Sequence, residues 1–215
     1  MLESPKRRRT SHGVCAFCHE DIGKAQMTRH LEKHFAGEAG ASGVRVTRLH
    51  LLVEGAHSPE YWLHLSIRVD ATLKKLDTYL RGIWLECCGH LSQFSVGGGY
   101  GGATLGMTRK IGHALLPGQT VFHEYDFGST TELKIRVLAE HQGDPAKEAV
   151  ILLARNTPPE MSCEKCGQPA VWLGEDEEGE YRELCDACAE ADGDVKEWLL
   201  PVVNSPRAGV CGYTG

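Results

Sequence analysis

The chain of 215 residues contains no apolar run approaching the ~18 residues that a membrane-crossing helix requires. Its first stretch, MLESPKRRRTSHG, lacks the apolar segment of a secretory signal. Together these absences predict a cytoplasmic protein that engages no membrane. Positive charge is not in excess either. Lys and Arg number 23 against 29 Asp and Glu, a formal net charge of −6. That balance disfavours broad, nonspecific attraction to nucleic acid, although a local basic patch can still act. Phosphoryl-transfer signatures and the HExxH metalloprotease motif are both missing, which removes the best-marked motif routes to an enzyme.

Cysteine, in contrast, is plentiful. Eight of the nine cysteines fall in Cys-x2-Cys or Cys-Cys pairs, and Cys211 stands alone. In a reducing cytoplasm, paired thiolates serve as metal ligands rather than as a disulfide framework. Residues 15–34 read CAFCHEDIGKAQMTRHLEKH. Cys15 and Cys18 form a tight knuckle, and His30 and His34, one helical turn apart, project from one helix face toward it. This pattern resembles a zinc finger of the two-cysteine, two-histidine type, with Ile22, Met27 and Leu31 as the minimal core between knuckle and helix. Near the other end, Cys163 and Cys166 are followed after eighteen residues by Cys185 and Cys188, the spacing of a four-cysteine zinc ribbon. The two quartets predict two zinc ions per chain. Between the ribbon's pairs, residues 170–173 and 181–184 are expected to form a hairpin around residues 175–179. Residues 172–198 hold eleven acidic and two basic side chains, a local field that repels phosphate and suits protein contact.

Between the clips, residues 61–94 can nucleate a core. Trp62, Leu63, Leu65, Ile67 and Val69 read as a strand. Leu73, Leu76, Leu80, Ile83 and Trp84 then recur at helical spacing, with Lys74, Lys75, Asp77, Thr78 and Arg81 on the wet face. Thr72 is the expected N-cap, and Leu91, Phe94 and Val96 resume the extended pattern. Residues 44–53 supply an earlier strand, followed by a turn containing Pro59. Residues 121–127, 133–138 and 149–153 read as an antiparallel meander, with a tight turn at 126–130 in which Gly128 takes a positive φ and Asp126 or Ser129 bonds turn amides. The run GGGYGG at 97–102 formally satisfies Gly-x-Gly-x-x-Gly, but no amphipathic helix follows it, so a loop is expected. The predicted fold class is α+β: an antiparallel sheet with one main amphipathic helix, flanked by the finger and the ribbon. The expected division is a basic flexible tail at 1–12, finger at 13–36, linker at 37–45, central domain at 46–157, ribbon at 158–200 and a C-terminal tail at 201–215. That tail is expected to strap across the central domain through Val202, Val203 and Tyr213.

The segments IRVDATLKKLDTYLRGIW, HLSQF and EYDFG resemble the plasmid open-reading-frame-three-like domain family of the root-inducing plasmid type, whose members are often labelled TnpR-like insertion-element passengers. The likeness spans roughly residues 46–156. It implies an α+β domain without an assigned biochemical role, here in a branch with metal-binding ends. A serine recombinase would need an N-terminal nucleophilic serine with clustered arginines about it and a helix-turn-helix for its site, and the sequence offers neither.

The leading functional reading is a noncatalytic, zinc-stabilised interaction module with a protein partner, in a mobile-element or DNA-associated setting. A first alternative is DNA binding by the finger and the basic run Lys6, Arg7, Arg8 and Arg9. A lone finger, however, contacts few phosphates and bases. A second alternative is an enzyme whose cleft is formed by Cys88, His90, His123 and Asp126 beneath the glycine loop. Cys87, Cys88 and His90 could equally converge with His113, His123 and Asp126 as a nucleophile site or a third metal site, and Cys211 could serve as an extra ligand, a redox thiol or an idle one.

Overall fold

The computed structural model describes residues 11–39, 43–98 and 101–215. The basic run at 6–9 lies outside them, as do residues 40–42 of the expected linker and residues 99–100 of the glycine run.

Two long hydrophobic strands set the architecture. In β3 (Val46–Gly55) and β4 (Trp62–Arg68) the odd positions Leu49, Leu51, Val53, Leu63, Leu65 and Ile67 are apolar, and all join one core. The even positions Arg48, His50, Leu52, Trp62, His64 and Ser66 are mixed, yet they too are buried. An antiparallel sheet normally leaves such a face wet. Here both faces are covered. The first core lies under α2 (Leu73–Leu80), whose Leu73, Leu76 and Leu80 are fully buried, and under the π-helical turn Arg81–Leu85 that extends it. The opposite face is covered by the 16-residue helix α1 (Lys24–Ala39), which follows the short strands β1 (His12–Cys15) and β2 (Asp21–Gly23).

The remaining strands are β5 (Ser92–Val96), β6 (Ala103–Leu105), β7 (Thr120–Tyr125), β8 (Thr131–Gly143) and β9 (Val150–Asn156), with the short helix α3 (Ile111–Ala114) between β6 and β7. Nine strands pair antiparallel in the order β2-β1-β9-β4-β3-β8-β7-β5-β6. The expected strand, helix, strand succession is present as β4, α2, β5. The meander is corrected: β7 and β8 form a hairpin, but β9 pairs with β4 and β1, so the β3–β4 hairpin lies between β8 and β9. Pairing β9 with β4 lets Val150, Leu152, Leu153 and Ala154 meet the two cores on either face. β5 pairs with β6 on either side of the glycine run, which is followed by a strand, not a helix.

Three local expectations change. Thr72 occupies the N-cap position of α2 without a side-chain cap, because the carbonyls of Arg109 and Met107 accept the first helical N–H groups of Leu73 and Lys74. Asp77, expected on the wet face, is fully buried: its carboxylate accepts from Ser92 Oγ at 2.6 Å, Lys74 Nζ at 2.7 Å and His123 Nε2 at 2.9 Å. Burial opposes ionisation of Asp77, but these donors outweigh it and pull the carboxyl well below its usual range. At the β7–β8 turn it is Asp126, at φ 65°, that takes the left-handed conformation rather than Gly128, and Asp126 Oδ1 accepts from the Gly128 amide at 3.0 Å.

The covered polar face carries a histidine pair. His50 Nε2 and His64 Nδ1 lie 2.8 Å apart, each beside an irregularity in its ladder, at His50/Leu51 and at His64/Leu65. Burial, then the charge of His141, pushes His50 down to about 3. Burial, then His50, Arg136 and Lys24, pushes His64 down to about 2. Both folded values lie below the unfolded value near 6.5, so between these limits the unfolded chain binds more protons and stability falls as pH falls. Unfolding free energy measured by urea titration is therefore expected to decline below pH ~6.5, with a contribution of up to about 1.4 kcal/mol per pH unit from each histidine. The His50→Leu/His64→Leu double variant should lose that part of the slope, whatever the metal sites contribute. An unchanged slope would show that the pair does not titrate in this window.

Candidate metal centres

The N-terminal quartet is assembled on the sheet itself. Strand β1 pairs with β9 through Gly13↔Asn156, Val14↔Arg155 and Cys15↔Ala154, and the Ala16 amide donates to the Leu153 carbonyl at 2.8 Å. Gly13 is required by close approach, since a Cβ there would lie 2.3 Å from the Arg155 carbonyl oxygen and 2.5 Å from Trp62. The knuckle is closed by bonds from the Cys15 amide to Glu20 O and from the His19 amide to Cys15 O, with His19 at φ 61°. From α1, His30 and His34 face the knuckle. Cys15 Sγ is 3.7 Å from His34 Nε2, Cys18 Sγ is 3.3 Å from His30 Nε2, and the two imidazole nitrogens are 3.2 Å apart. A tetrahedron with metal–sulfur bonds of about 2.3 Å and metal–nitrogen bonds of about 2.0–2.1 Å has edges of roughly 3.3–3.8 Å. The quartet fits that figure, with all four donor atoms within 4.8 Å of one another. Glu20 stands 3.9 Å from His30 Nδ1, too far for a hydrogen bond, and Phe17 stacks on His34 with centroids 4.8 Å apart.

Met27 and Leu31 do not make a private core for the finger. They are fully buried with Leu52, Trp62, Leu153 and Ala154 of the sheet, and Phe35 stacks on His141 at 4.1 Å. The apolar face of α1 is thereby committed to the protein. Lys24 is committed too, through an ion pair with Glu54 at 2.6 Å.

The C-terminal quartet sits on a three-stranded sheet of β10 (Trp172–Glu175), β11 (Tyr181–Leu184) and β12 (Leu200–Pro201), ordered β11-β10-β12, with α4 (Asp186–Ala191) capped at Cys185. The expected hairpin is present as β10–β11. Cys163, Cys166, Cys185 and Cys188 bring their sulfurs within 4.8 Å of one another, with Cys166 and Cys185 at 3.6 Å. The first knuckle turns on Gly167, at φ 73°, whose amide donates to Cys163 O at 2.8 Å. The backbone amide of Cys185, then those of Cys166 and Lys165, push the Cys163 thiol down to about 6, favouring the thiolate that a metal needs. Arg182 ties Glu164, Asp176 and Asp192 around the hairpin.

The remaining candidates divide. His123 is fully buried between Asp77 and Phe94, so the proposed four-residue cleft does not close around it. Cys88 and His90 lie together at 2.9 Å, and His90 Nε2 is 3.4 Å from Asp126 Oδ2. Cys211 joins them from more than a hundred residues away, together with Cys87. The sequence marks Cys87, Cys88 and His90 as neighbours that could form a site, but not their meeting with Cys211, which lies too far along the chain for spacing to show it. The ninth, unpaired cysteine was the available signal.

The C-terminal tail does cross the central domain, but through polar anchors as well as the expected Tyr213. Val202 and Val203 are only half-buried, whereas Ser205 and Arg207 are buried. Ser205 Oγ donates to the Trp84 carbonyl at 2.6 Å. Arg207 donates to Asp126 Oδ2 at 2.7 Å, to Thr131 Oγ1 at 3.0 Å and to Ser129 O at 3.1 Å.

No protein-family model matches the chain, and no curated protein matches it. Among solved structures it is similar to a protein of unknown function from Methanosarcina mazei Go1, MM3350, at 18% identity and a TM-score of 0.42, covering 58% of this chain and 75% of that one. Among the described residues no helix is long and apolar enough to cross a membrane.

Cys18 is exposed, so Cys18→Ala removes one donor of the candidate quartet without disturbing packing. The variant should release α1 from the sheet, and the Ala16 amide should exchange at least tenfold faster in hydrogen-exchange mass spectrometry, a loss of about 1.4 kcal/mol in local protection. Unaltered exchange would mean that the finger docks without its metal.

Proposed function

We propose that the chain is a zinc-binding, noncatalytic interaction module in which two zinc ions, one in each terminal quartet, hold small end pieces onto a central α+β domain that meets a protein partner. The observation that carries this reading is the tetrahedral spacing of both quartets, each on a segment with little apolar core of its own. Thiolates and imidazoles in closed sets of four favour zinc in a structural role. All nine cysteines are free, as suits the reducing cytoplasm to which we assign the protein.

A protein partner is favoured by the ribbon. Its acidic surface repels phosphate, yet Tyr181 and Trp198 are exposed on it beside Val171, and amphipathic aromatics such as Tyr and Trp are enriched in protein interfaces. The finger offers little to a DNA groove, because its apolar face and Lys24 are already engaged. The likeness of the central segments to the plasmid open-reading-frame-three-like family supports a mobile-element setting for the module.

Elemental analysis of the purified chain tests the metal reading: Cys18→Ala and Cys166→Ala should each lose one zinc equivalent relative to wild type. Failure of either variant to lose zinc would remove that quartet from the proposal. A gel shift separates the partner classes. Duplex DNA at low salt should not be retarded, and a salt-sensitive shift abolished by deleting residues 1–10 would replace the protein-partner reading with nucleic-acid binding.

A further inference from the structure

We propose a third metal centre, formed by Cys87, Cys88, His90 and Cys211, that binds zinc and buckles the C-terminal tail to the central domain. It rests on the reading of the chain as a zinc protein and adds a site to it. The four donor atoms lie within 4.8 Å of one another. Cys88 Sγ is 3.6 Å from Cys87 Sγ, 3.9 Å from Cys211 Sγ and 2.9 Å from His90 Nε2, and His90 Nε2 is 3.3 Å from Cys211 Sγ. The sulfur pairs are far beyond the ~2.05 Å of a disulfide but close to the roughly 3.8 Å edge of a tetrahedron with metal–sulfur bonds of about 2.3 Å. Three thiols and one imidazole form a closed donor set suited to structural zinc.

The surroundings are built to aim these ligands. The π-helical turn Arg81–Leu85 delivers the chain into the turn at 86–90, and such turns recur at functional sites. Tyr125 Oη accepts from the Cys87 amide at 3.4 Å and the His90 amide at 3.3 Å and donates to Glu86 Oε1 at 3.1 Å, so one side chain fixes both ends of the ligand turn. Gly89, at φ 84°, permits the bend, and its amide donates to Glu86 Oε1 at 2.8 Å. On the other side Cys211 is held at φ 51°, a left-handed conformation that a non-glycine residue keeps only where the surroundings over-determine it. The bonds Val210 N to Arg207 O and Tyr213 N to Val210 O brace it.

Charge agrees with the assignment. Zn²⁺ with three thiolates carries a net −1, the three displaced thiol protons passing to solvent. Arg207, fully buried, places its guanidinium 3.5 Å from Cys87 Sγ and over the Tyr125 ring at 4.8 Å, while also bonding Asp126. The guanidinium, shared between Asp126 and the Cys87 sulfur, supplies the hydrogen bond that a ligating thiolate takes from its surroundings.

The test is the zinc content of the reduced full-length chain by plasma mass spectrometry, with Cys88→Ala/Cys211→Ala beside Cys18→Ala and Cys166→Ala. Three zinc per wild-type chain, falling to two in the double variant, is expected. Two in the wild type with no loss in the double variant overturns the third centre and leaves the terminal quartets standing. No loss in either Cys18→Ala or Cys166→Ala overturns the underlying reading instead. A second measurement needs no variant. Cys88 and Cys211 are both exposed, so without a metal they would react freely with N-ethylmaleimide. In the zinc-loaded wild type, mapped by peptide mass spectrometry, both should react at least tenfold more slowly than after chelation. Unhindered modification, or a Cys88–Cys211 disulfide in protein handled anaerobically, overturns the centre.

Discussion

Strand β3 is hydrogen-bonded along nearly its whole length to β4 on one side and β8 on the other, with side chains that alternate between two separate cores. A strand buried on both faces has every backbone polar group paired in the ladder, so its burial leaves no unpaired amide behind. The side chains are a different matter. Arg48, His50, His64 and Ser66 on the second face would be satisfied by water in a one-faced sheet, and here each is engaged by a protein partner. The need to cover that half-polar face explains the position of the first metal quartet: the finger is the lid on the sheet's second side.

A Cys/His quartet with the spacing to hold a metal stands at each periphery, where the same problem of covering and ordering the chain arises. The ribbon's core cluster consists of the buried Cys163, Leu184, Ala189 and Leu199, a small apolar area with which to order some forty residues. The second core draws most of its residues from the central sheet. In both places an ion held by the proposed quartet, two thiolates and two imidazoles in the finger and four thiolates in the ribbon, would supply the fixed geometry that hydrophobic burial cannot. Their knuckles rely on backbone bends at His19 and Gly167 that aim the ligands inward.

The tail converts these peripheral pieces into one body. Arg207 is a fully buried cation whose charge is met by Asp126 and whose remaining donors reach Ser129, Thr131 and Cys87. A buried arginine is tolerated only when so paired, and removal of either partner strands the other in low dielectric. Two residues further on, Gly209 packs against Leu173 of the ribbon, and upstream Asn204 exchanges hydrogen bonds with Asn156 at the end of β9. The tail therefore touches the sheet, the ligand turn at 86–90 and the ribbon.

Spacing determined both terminal quartets: Cys-x2-Cys pairs and a His-x3-His step place ligands within a few residues of one another, where local backbone geometry alone brings them together. Periodicity likewise determined β4, α2 and β5, because Leu73, Leu76 and Leu80 form a stripe that only one helix face can bury. The tertiary structure decided what local pattern does not encode. It inserted the β3–β4 hairpin between β8 and β9, committed Met27 and Leu31 to the sheet rather than to the finger, and sank Asp77 among three donors. It also carried Cys211 to Cys88 and His90. Each of those outcomes depends on contacts between residues far apart in the chain, and their free energy comes from surfaces that exist only once the sheet has formed.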